Sequence, residues 1–334
     1  MPTSRSTTQT GPSPRRRLSS QMSLGYQEAT PDGDELAAFI RIHHKCLMRL
    51  LIPAIALLWY GSVYEGPIID GHTHPMLDPA GQIVAAPHPP EAYRAMVRGS
   101  QVRRAAALTI AHKGDLALTR ARNDAVLTLA QDSEGFFFPV CSVHPADGVS
   151  ALREIDRVAA AGSAWLKLHP NTQRFDVADP AVTKVVRLAT ENRLPVLFDA
   201  YSPWDANQPG KFVDLAMALP ESRLILAHAH GPGFAQLLFY DILARFPHWE
   251  RNVWIDISVT GPLLAGGPFA EQFAWVLRKV GTDRVVFGSD YPVDHPLDAI
   301  RAVAELGFTD AERAAILHDN AAALLADKPL NDER

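Results

Sequence analysis

From Gly66 onward, short apolar runs alternate with helix-like stretches, and no other feature limits the fold as much. The runs are 68–74, 104–112, 136–144, 164–169, 195–201, 224–230, 253–259 and 285–291. Each is short, β-branched or aromatic, and bounded by proline, glycine or polar residues, as a parallel strand buried on both faces should be. Helix-like segments lie between them: 91–97, 116–130, 149–161, 182–192, 211–219, 233–246 and 270–280, with a last one over 311–326. Eight βα units over about 260 residues predict an α/β chain folded as a (β/α)₈ TIM barrel with an N-terminal extension. A doubly wound sheet is the alternative, but it seldom needs eight such regular units.

A barrel has a chemical consequence, because its catalytic groups sit at the C-terminal ends of the strands. His72, His74, His112, His144, His169, Asp199, His228, His230 and Asp290 all fall there. With His295 just beyond the last run, eight of the thirteen histidines end or follow a strand. Scattered surface histidines would not gather at one rim, so the pattern predicts a site.

His72 and His74 are two residues apart in a strand, so both rings point to one face, the interior mouth. Two imidazoles there can bind one divalent cation. Asp290 closes the last run beside the first, where a carboxylate can both hold a metal and take a proton from metal-activated water. A helix N-cap or Asx-turn is its alternative role. His228 ends the sixth run and could ligate the metal or polarise a carbonyl and shuttle protons. His230 shares its spacing but lies where the Gly-Pro-Gly turn begins, which leaves a loop role open. Asp256 and Ser258 read as supporting or barrel-filling residues.

Composition fills in the rest. The chain is 47% hydrophobic and 21% charged, so most of it should be globular. A net charge of −5 without basic blocks in its body argues against a nucleic-acid partner. Cys46 and Cys141 build neither a disulfide framework nor a CxxC site, so any metal must be held by histidine and carboxylate. Residues 1–33 are rich in Ser, Thr, Pro, Gly and Arg and read as a disordered segment. Residues 34–65 form an apolar extension whose run Leu-Leu-Ile-Pro-Ala-Ile-Ala-Leu-Leu-Trp-Tyr, 50–60, is too short to span a bilayer. It reads as a signal-like segment or as a cap on the barrel bottom. The barrel itself takes 66–326, and 327–334 form a C-terminal tail. A cytoplasmic location is the expectation, with export or organelle targeting through the extension as the alternative. The sequence carries no signal for oligomeric state.

Together these motifs resemble the amidohydrolase superfamily, in particular the amidohydrolase-2 group of TIM-barrel metal-dependent hydrolases. The likeness runs from Ile68 to Leu325. It rests on IDGHTHP at 68–75, VHP at 143–145, LKLHP at 166–170, LAH at 226–228, FGSDYP at 287–292 and LHDNAAALL at 317–325. The resemblance implies that His72, His74 and Asp290 are metal ligands, that Asp290 doubles as general base, and that His228 assists proton transfer. The family usually has a histidine ending the fifth strand, in a sequence like PVLxH. Here that stretch reads Pro195-Val196-Leu197-Phe198-Asp199. Aspartate can still bind Zn²⁺, Mn²⁺ or Fe²⁺, so Asp199 enters as a fourth ligand, with weakened or lost metal binding as the alternative. In binuclear superfamily members a fourth-strand lysine is carbamylated and bridges two metals; Lys167, which ends the fourth run here, reads as a site-lining cation, with such a bridge or a structural ion pair inside the barrel as the alternatives. His169 and Arg174, with Asn171 between them, could contact an anionic substrate group.

The expected activity is metal-dependent hydrolysis of a small carbonyl, amide or lactone substrate, with one divalent ion, zinc first and manganese or iron as alternatives. Two readings compete: non-oxidative decarboxylation of a small carboxylic acid at the same site, and a metal-free barrel with a binding role. The loops 76–90 and 202–210, the latter carrying Trp204, show no diagnostic substrate motif.

Overall fold

The computed structural model describes residues 64–76 and 90–326. The readings made for 1–33, for the apolar run 50–60 and for 327–334 lie outside the described residues, as does most of the loop 76–90.

The strands are β1 (Ile68–Asp70), β2 (Val102–Leu108), β3 (Phe137–Ser142), β4 (Trp165–Leu168), β5 (Val196–Asp199), β6 (Leu224–Ala227), β7 (Val253–Asp256) and β8 (Val285–Val286). They form one sheet in the order β1 to β8, every neighbouring pair parallel. The connecting helices are α1 (Pro90–Met96), α2 (Leu116–Asp132), α3 (Val149–Ala160), α4 (Pro180–Glu191), α5 (Gln208–Ala218), α6 (Leu238–Leu243), α7 (Ala270–Val280) and α8 (Pro296–Glu305). A last stretch joins α9 (Asp310–Ala314) to α10 (Asn320–Ala326) through a π turn, Ala315–Asp319. The sheet closes at the rim. Gly71 N–H donates to Phe287 O at 2.9 Å, Asp290 N–H to His72 O and His74 N–H to Tyr291 O, both at 2.7 Å. The chain is a TIM barrel.

Period-two alternation explains the two apolar clusters. Ile69, Leu108, Phe138, Val140, Trp165, Leu197, Ile225 and Val286 pack together inside the barrel. Their sequence neighbours, among them Ile68, Ala107, Leu166, Phe198, Leu226 and Ile255, pack outward against Ile155, Val185, Phe212, Leu277 and Val303 of the helices. Each fully buried side chain of this size stabilises the fold by about 1.5–3 kcal/mol. Removing the Trp165 indole would cost about 3–5 kcal/mol, because it fills the centre of the barrel. Ala321 and Leu324 of α10 pack onto the inner cluster at its lower end. The same alternation carries the inward rows upward, from Trp165 to Lys167, Leu197 to Asp199 and Trp254 to Asp256. The polar site is the top layer of the core.

The strands are shorter than the apolar runs predict. Their last residues leave extended geometry: His228, Ala229 and His230 have φ of 64°, 45° and 60°, and Asp290 has 57°. No strand accommodates such values. The helix expected over 233–246 is reduced to α6, because Gly231, Pro232 and Gly233 hold 228–237 in an irregular 3₁₀ segment.

Candidate metal centre

β1 and β8 lie side by side, and the turns leaving them bring their polar residues together. His72 Nε2 lies 3.2 Å from Asp290 Oδ1, and His74 Nε2 lies 3.4 Å from the same oxygen. Glycine makes this approach possible. A Cβ on Gly288 would stand 2.6 Å from the His72 Cβ and 2.7 Å from Asp256 Oδ1. Asp70 anchors the turn from beneath. Its carboxylate accepts hydrogen bonds from Ser289 N–H at 2.9 Å, His72 N–H at 3.3 Å and Tyr93 O–H at 2.7 Å. Burial pushes its carboxyl up to about 7 despite those donors. Asp70 was not singled out in the sequence, although it opens the Asp-Gly-His-Thr-His run.

The flanking groups define the His72 tautomer. Nδ1 lies 2.6 Å from Asp256 Oδ2, and Nε2 lies 3.2 Å from Lys167 Nζ. A carboxylate only accepts and an ammonium only donates. Asp290 Oδ1 also stands 3.2 Å from Nε2, but the Asp256 contact is much the shorter, so the proton is assigned to Nδ1 and the Nε2 lone pair faces the site. Burial, reinforced by the Lys167 charge, holds the His72 ring well below its usual range. Burial lowers the Lys167 ammonium too, against the pull of Asp199, Asp290 and Asp256. Burial also opposes ionisation of Asp290, but the surrounding histidines outweigh it and hold the carboxyl well below the usual carboxylate range.

Asp199 organises the other side of the mouth. Its Oδ2 is 3.2 Å from His228 Nε2 and 3.4 Å from His169 Nε2, and Asn171 Nδ2 donates to Oδ1 at 3.2 Å. His228 Nδ1 meets the Ser258 hydroxyl at 3.1 Å, and that hydroxyl also reaches Asp256 Oδ2 at 2.9 Å. Thr260 Oγ1 donates to the His228 carbonyl at 2.6 Å. Burial alone would lower the His228 ring, but the Asp199 hydrogen bond and the charges of Asp290, Asp199 and Asp256 lift it to about 9. His169 goes the other way, to about 4, because burial exceeds the pull of Asp199. The positive φ values at His228 and Asp290 cost of order 1–3 kcal/mol each, a strain that clusters where function demands it.

The remaining predicted residues fall further out. His230 is buried with Nδ1 on the Ala200 carbonyl at 2.7 Å, and burial takes it down to about 4. Arg174 is exposed, in left-handed conformation as the C-cap of a one-turn helix, Pro170–Gln173. Three rim histidines are apart from the cluster. His144 caps a turn and bonds Gln173 O, His295 caps α8, and His112 is exposed.

The donors suit a divalent ion. Ring nitrogens of His72 and His228 and an oxygen of Asp290 lie within 4.8 Å of one another. The separations of His72 and His74 from Asp290 match the edge of about 3.4 Å that a tetrahedron with zinc-length bonds requires. Among the described residues His74 Nδ1 is buried without a hydrogen-bond partner, so none of them competes for its ring. His72 donates its other ring N–H to a carboxylate, the usual support of a metal-binding histidine.

A family model described as amidohydrolase matches residues 69–326. The chain belongs to this family. Amidohydrolases of this kind are metal-dependent enzymes and include hydrolases and decarboxylases. Among curated relatives, an uncharacterised protein of Sinorhizobium fredii is 26% identical over 138 residues, 34% of this amidohydrolase and 42% of that protein. The chain thus aligns with less than half the length of that relative. Solved structures share the fold at lower identity. One is a 5-carboxyvanillate decarboxylase of Novosphingobium aromaticivorans complexed with manganese and 4-hydroxy-3-methoxy-5-nitrobenzoic acid (TM-score 0.56, 15% identity, 80% of this chain and 97% of that one). Another is a probable 2-pyrone-4,6-dicarboxylic acid hydrolase of Acinetobacter baumannii with citric acid bound (TM-score 0.53, 17% identity, 78% and 99%). No helix among the described residues of the amidohydrolase is long and apolar enough to cross a membrane.

Proposed function

We propose that this amidohydrolase hydrolyses a small carbonyl, amide or lactone substrate with one divalent ion held by His72, His74 and Asp290. What carries the reading is the convergence of two histidine Nε2 atoms on one oxygen of Asp290, 3.2 and 3.4 Å away. Zinc suits two imidazoles and a carboxylate, with manganese or iron as alternatives. When bound, the ion supplies Lewis acidity toward a substrate oxygen and lowers the pKa of water. Asp290, ionised at neutral pH, accepts the proton of the attacking water. His228, which carries a proton at neutral pH, shares the Nε2–H it gives to Asp199 with the oxyanion that develops at the carbonyl. Both ring nitrogens of His228 are already engaged, by Asp199 and Ser258, so we assign it to proton transfer rather than to the ion. Asp199 then orients His228 and His169 instead of serving as a fourth ligand. Lys167, and His169 with Asn171, line the space a substrate would enter; Arg174 and His230 lie further from the reacting atoms.

Elemental analysis of the purified protein and of the His72→Ala/His74→Ala variant tests the reading. The wild type should carry close to one equivalent of metal and the variant almost none. Unchanged metal content in the variant would remove the basis of the assignment.

A second reading, decarboxylation of a small carboxylic acid, is favoured by the buried Lys167 ammonium, a cation suited to a substrate carboxylate. Measuring CO₂ release beside hydrolysis on a panel of acids, esters and lactones separates the two.

A further inference from the structure

The turn that carries His228 has a backbone few sequences adopt. His228, Ala229, His230 and Gly231 have φ of 64°, 45°, 60° and 57°, so four successive residues are left-handed. Only the last is glycine. A Cβ is costly in this conformation, and proteins ordinarily carry it at single residues, not in runs. Such a run persists only where its surroundings over-determine it.

Two neighbouring strands hold it. The exit of β5 receives the turn residue by residue. Asp199 Oδ2 meets His228 Nε2 at 3.2 Å, the Ala200 carbonyl meets His230 Nδ1 at 2.7 Å, and the Tyr201 ring lies against Gly231, where a Cβ would stand 2.7 Å from Tyr201 Cδ2. Asn171, from the turn after β4, braces that exit by donating to Asp199 Oδ1 and to the Tyr201 carbonyl at 3.2 and 2.6 Å. From the exit of β7, the Thr260 hydroxyl donates to the His228 carbonyl at 2.6 Å, and the Ser258 hydroxyl meets the His228 ring at 3.1 Å. Val259, between them, is β-branched with φ of 59°, a value such residues rarely take. Strain on both turns converges on one imidazole.

His230 is engaged on the wall side. A carbonyl only accepts, so Nδ1 carries the proton and donates it to Ala200. Nε2 is buried without a partner among the described residues. The ring packs beside Phe212 of α5, centroids 6.2 Å apart, and burial takes it down to about 4, which leaves it neutral at pH 7. Its one proton is spent on tying β6 to β5.

We propose that His230 and Thr260 are positioning residues that hold the left-handed turn, and with it the His228 ring, against Asp199. His230 then acts through the main chain and not by touching substrate. The effect on turnover rests on the proton-transfer role proposed for His228; the placement of the ring does not.

Three variants of the full chain test it. His230→Leu removes the donor, His230→Asn places an amide N–H where Nδ1 stands, and Thr260→Val removes only the hydroxyl. NMR of ¹⁵N-histidine protein reads the His228 ring, assigned by its loss in His228→Gln. In the wild type its N–H protons should lie downfield and exchange slowly, because Asp199 and Ser258 accept them. His230→Leu and Thr260→Val should each speed that exchange about tenfold, as loss of one hydrogen bond from a local structure does. His230→Asn should restore most of what the leucine variant loses. On a substrate that the wild type turns over, the leucine and valine variants should lose about a hundredfold in kcat, with KM nearly unchanged. Metal content should stay at the wild-type level, since the proposed ligands leave β1 and β8. A thermal melt confirms folding, and the near-isosteric Thr260→Val carries the test should His230→Leu not fold. Wild-type exchange in the folded variants that lack a tie overturns the proposal, as does an asparagine variant as impaired as the leucine one. A wild type that hydrolyses nothing counts against the hydrolytic reading, while the exchange rates still decide what holds His228.

Discussion

Asp256 Oδ2 lies 2.6 Å from His72 Nδ1, joining β7 to the turn after β1 across 184 residues of sequence. The contact determines which nitrogen of His72 faces the site. Burial pushes the Asp256 carboxyl up to about 6, although His228 and the Ser258 hydrogen bonds pull it down, so it is ionised at neutral pH and accepts from the ring.

Asp256→Asn should therefore loosen metal binding about 10–100-fold without removing any ligand, as loss of a histidine's carboxylate partner typically does. Competition with a chromogenic chelator gives the affinity, and ¹⁵N NMR of the His72 ring reads the tautomer. An unchanged affinity would mean that the ring is held by packing alone.

Lys167 is buried with its ammonium 3.2 Å from His72 Nε2, where it offsets Asp199 and Asp290. Lys167→Met leaves those carboxylates uncompensated, so the metal-free protein should lose about 3–5 kcal/mol. A divalent ion would replace the missing charge. The rise in Tm on adding zinc should accordingly be larger for the variant than for the wild type, by differential scanning calorimetry. Equal rises would show that the lysine and the ion do not share the same field.

Gly288→Ala places a methyl group 2.6 Å from the His72 Cβ and 2.7 Å from Asp256 Oδ1. The backbone of β1 or β8 must shift to admit it, at a cost of about 1–3 kcal/mol. Urea unfolding should show the lower midpoint, and metal content should fall with it. A variant as stable as the wild type would mean that the rim is softer than its packing implies.

Glu312 accepts from Arg278 Nε at 2.7 Å and Nη2 at 2.9 Å, and closes a capping box with Thr309. Arg278, opposed by burial and aided by the Thr309 N–H, holds its carboxyl down at about 2 against an ordinary 4.5. Folding favours the ionised form, so its contribution is whole above about 4.5 and is lost as the pH falls through about 2. Glu312→Gln should cost about 1 kcal/mol at pH 7, and the gap to wild type should close in acid. Parallel stability curves down to pH 2 would contradict this.

Much of this protein is written locally. The alternation of apolar runs with helix-forming segments determined the barrel, because strand and helix periodicities are properties of neighbours in sequence. The HxH run and the closing Ser-Asp-Tyr-Pro turn determined where a site would form, because strand ends in a barrel share one rim. Which rim residues meet was decided only in three dimensions. His72 and His144 both follow strands, yet one faces Asp290 while the other caps a turn; φ values and distant partners separate them. Asp199 stands at the expected position on β5, but its hydrogen bonds go to His228 and His169, which arrive from β6 and from the turn after β4. A burial cost that depends on which charges surround a group is a tertiary quantity. It raised His228 and lowered His169 around the same carboxylate, and no reading of either residue's neighbours in sequence contains that difference.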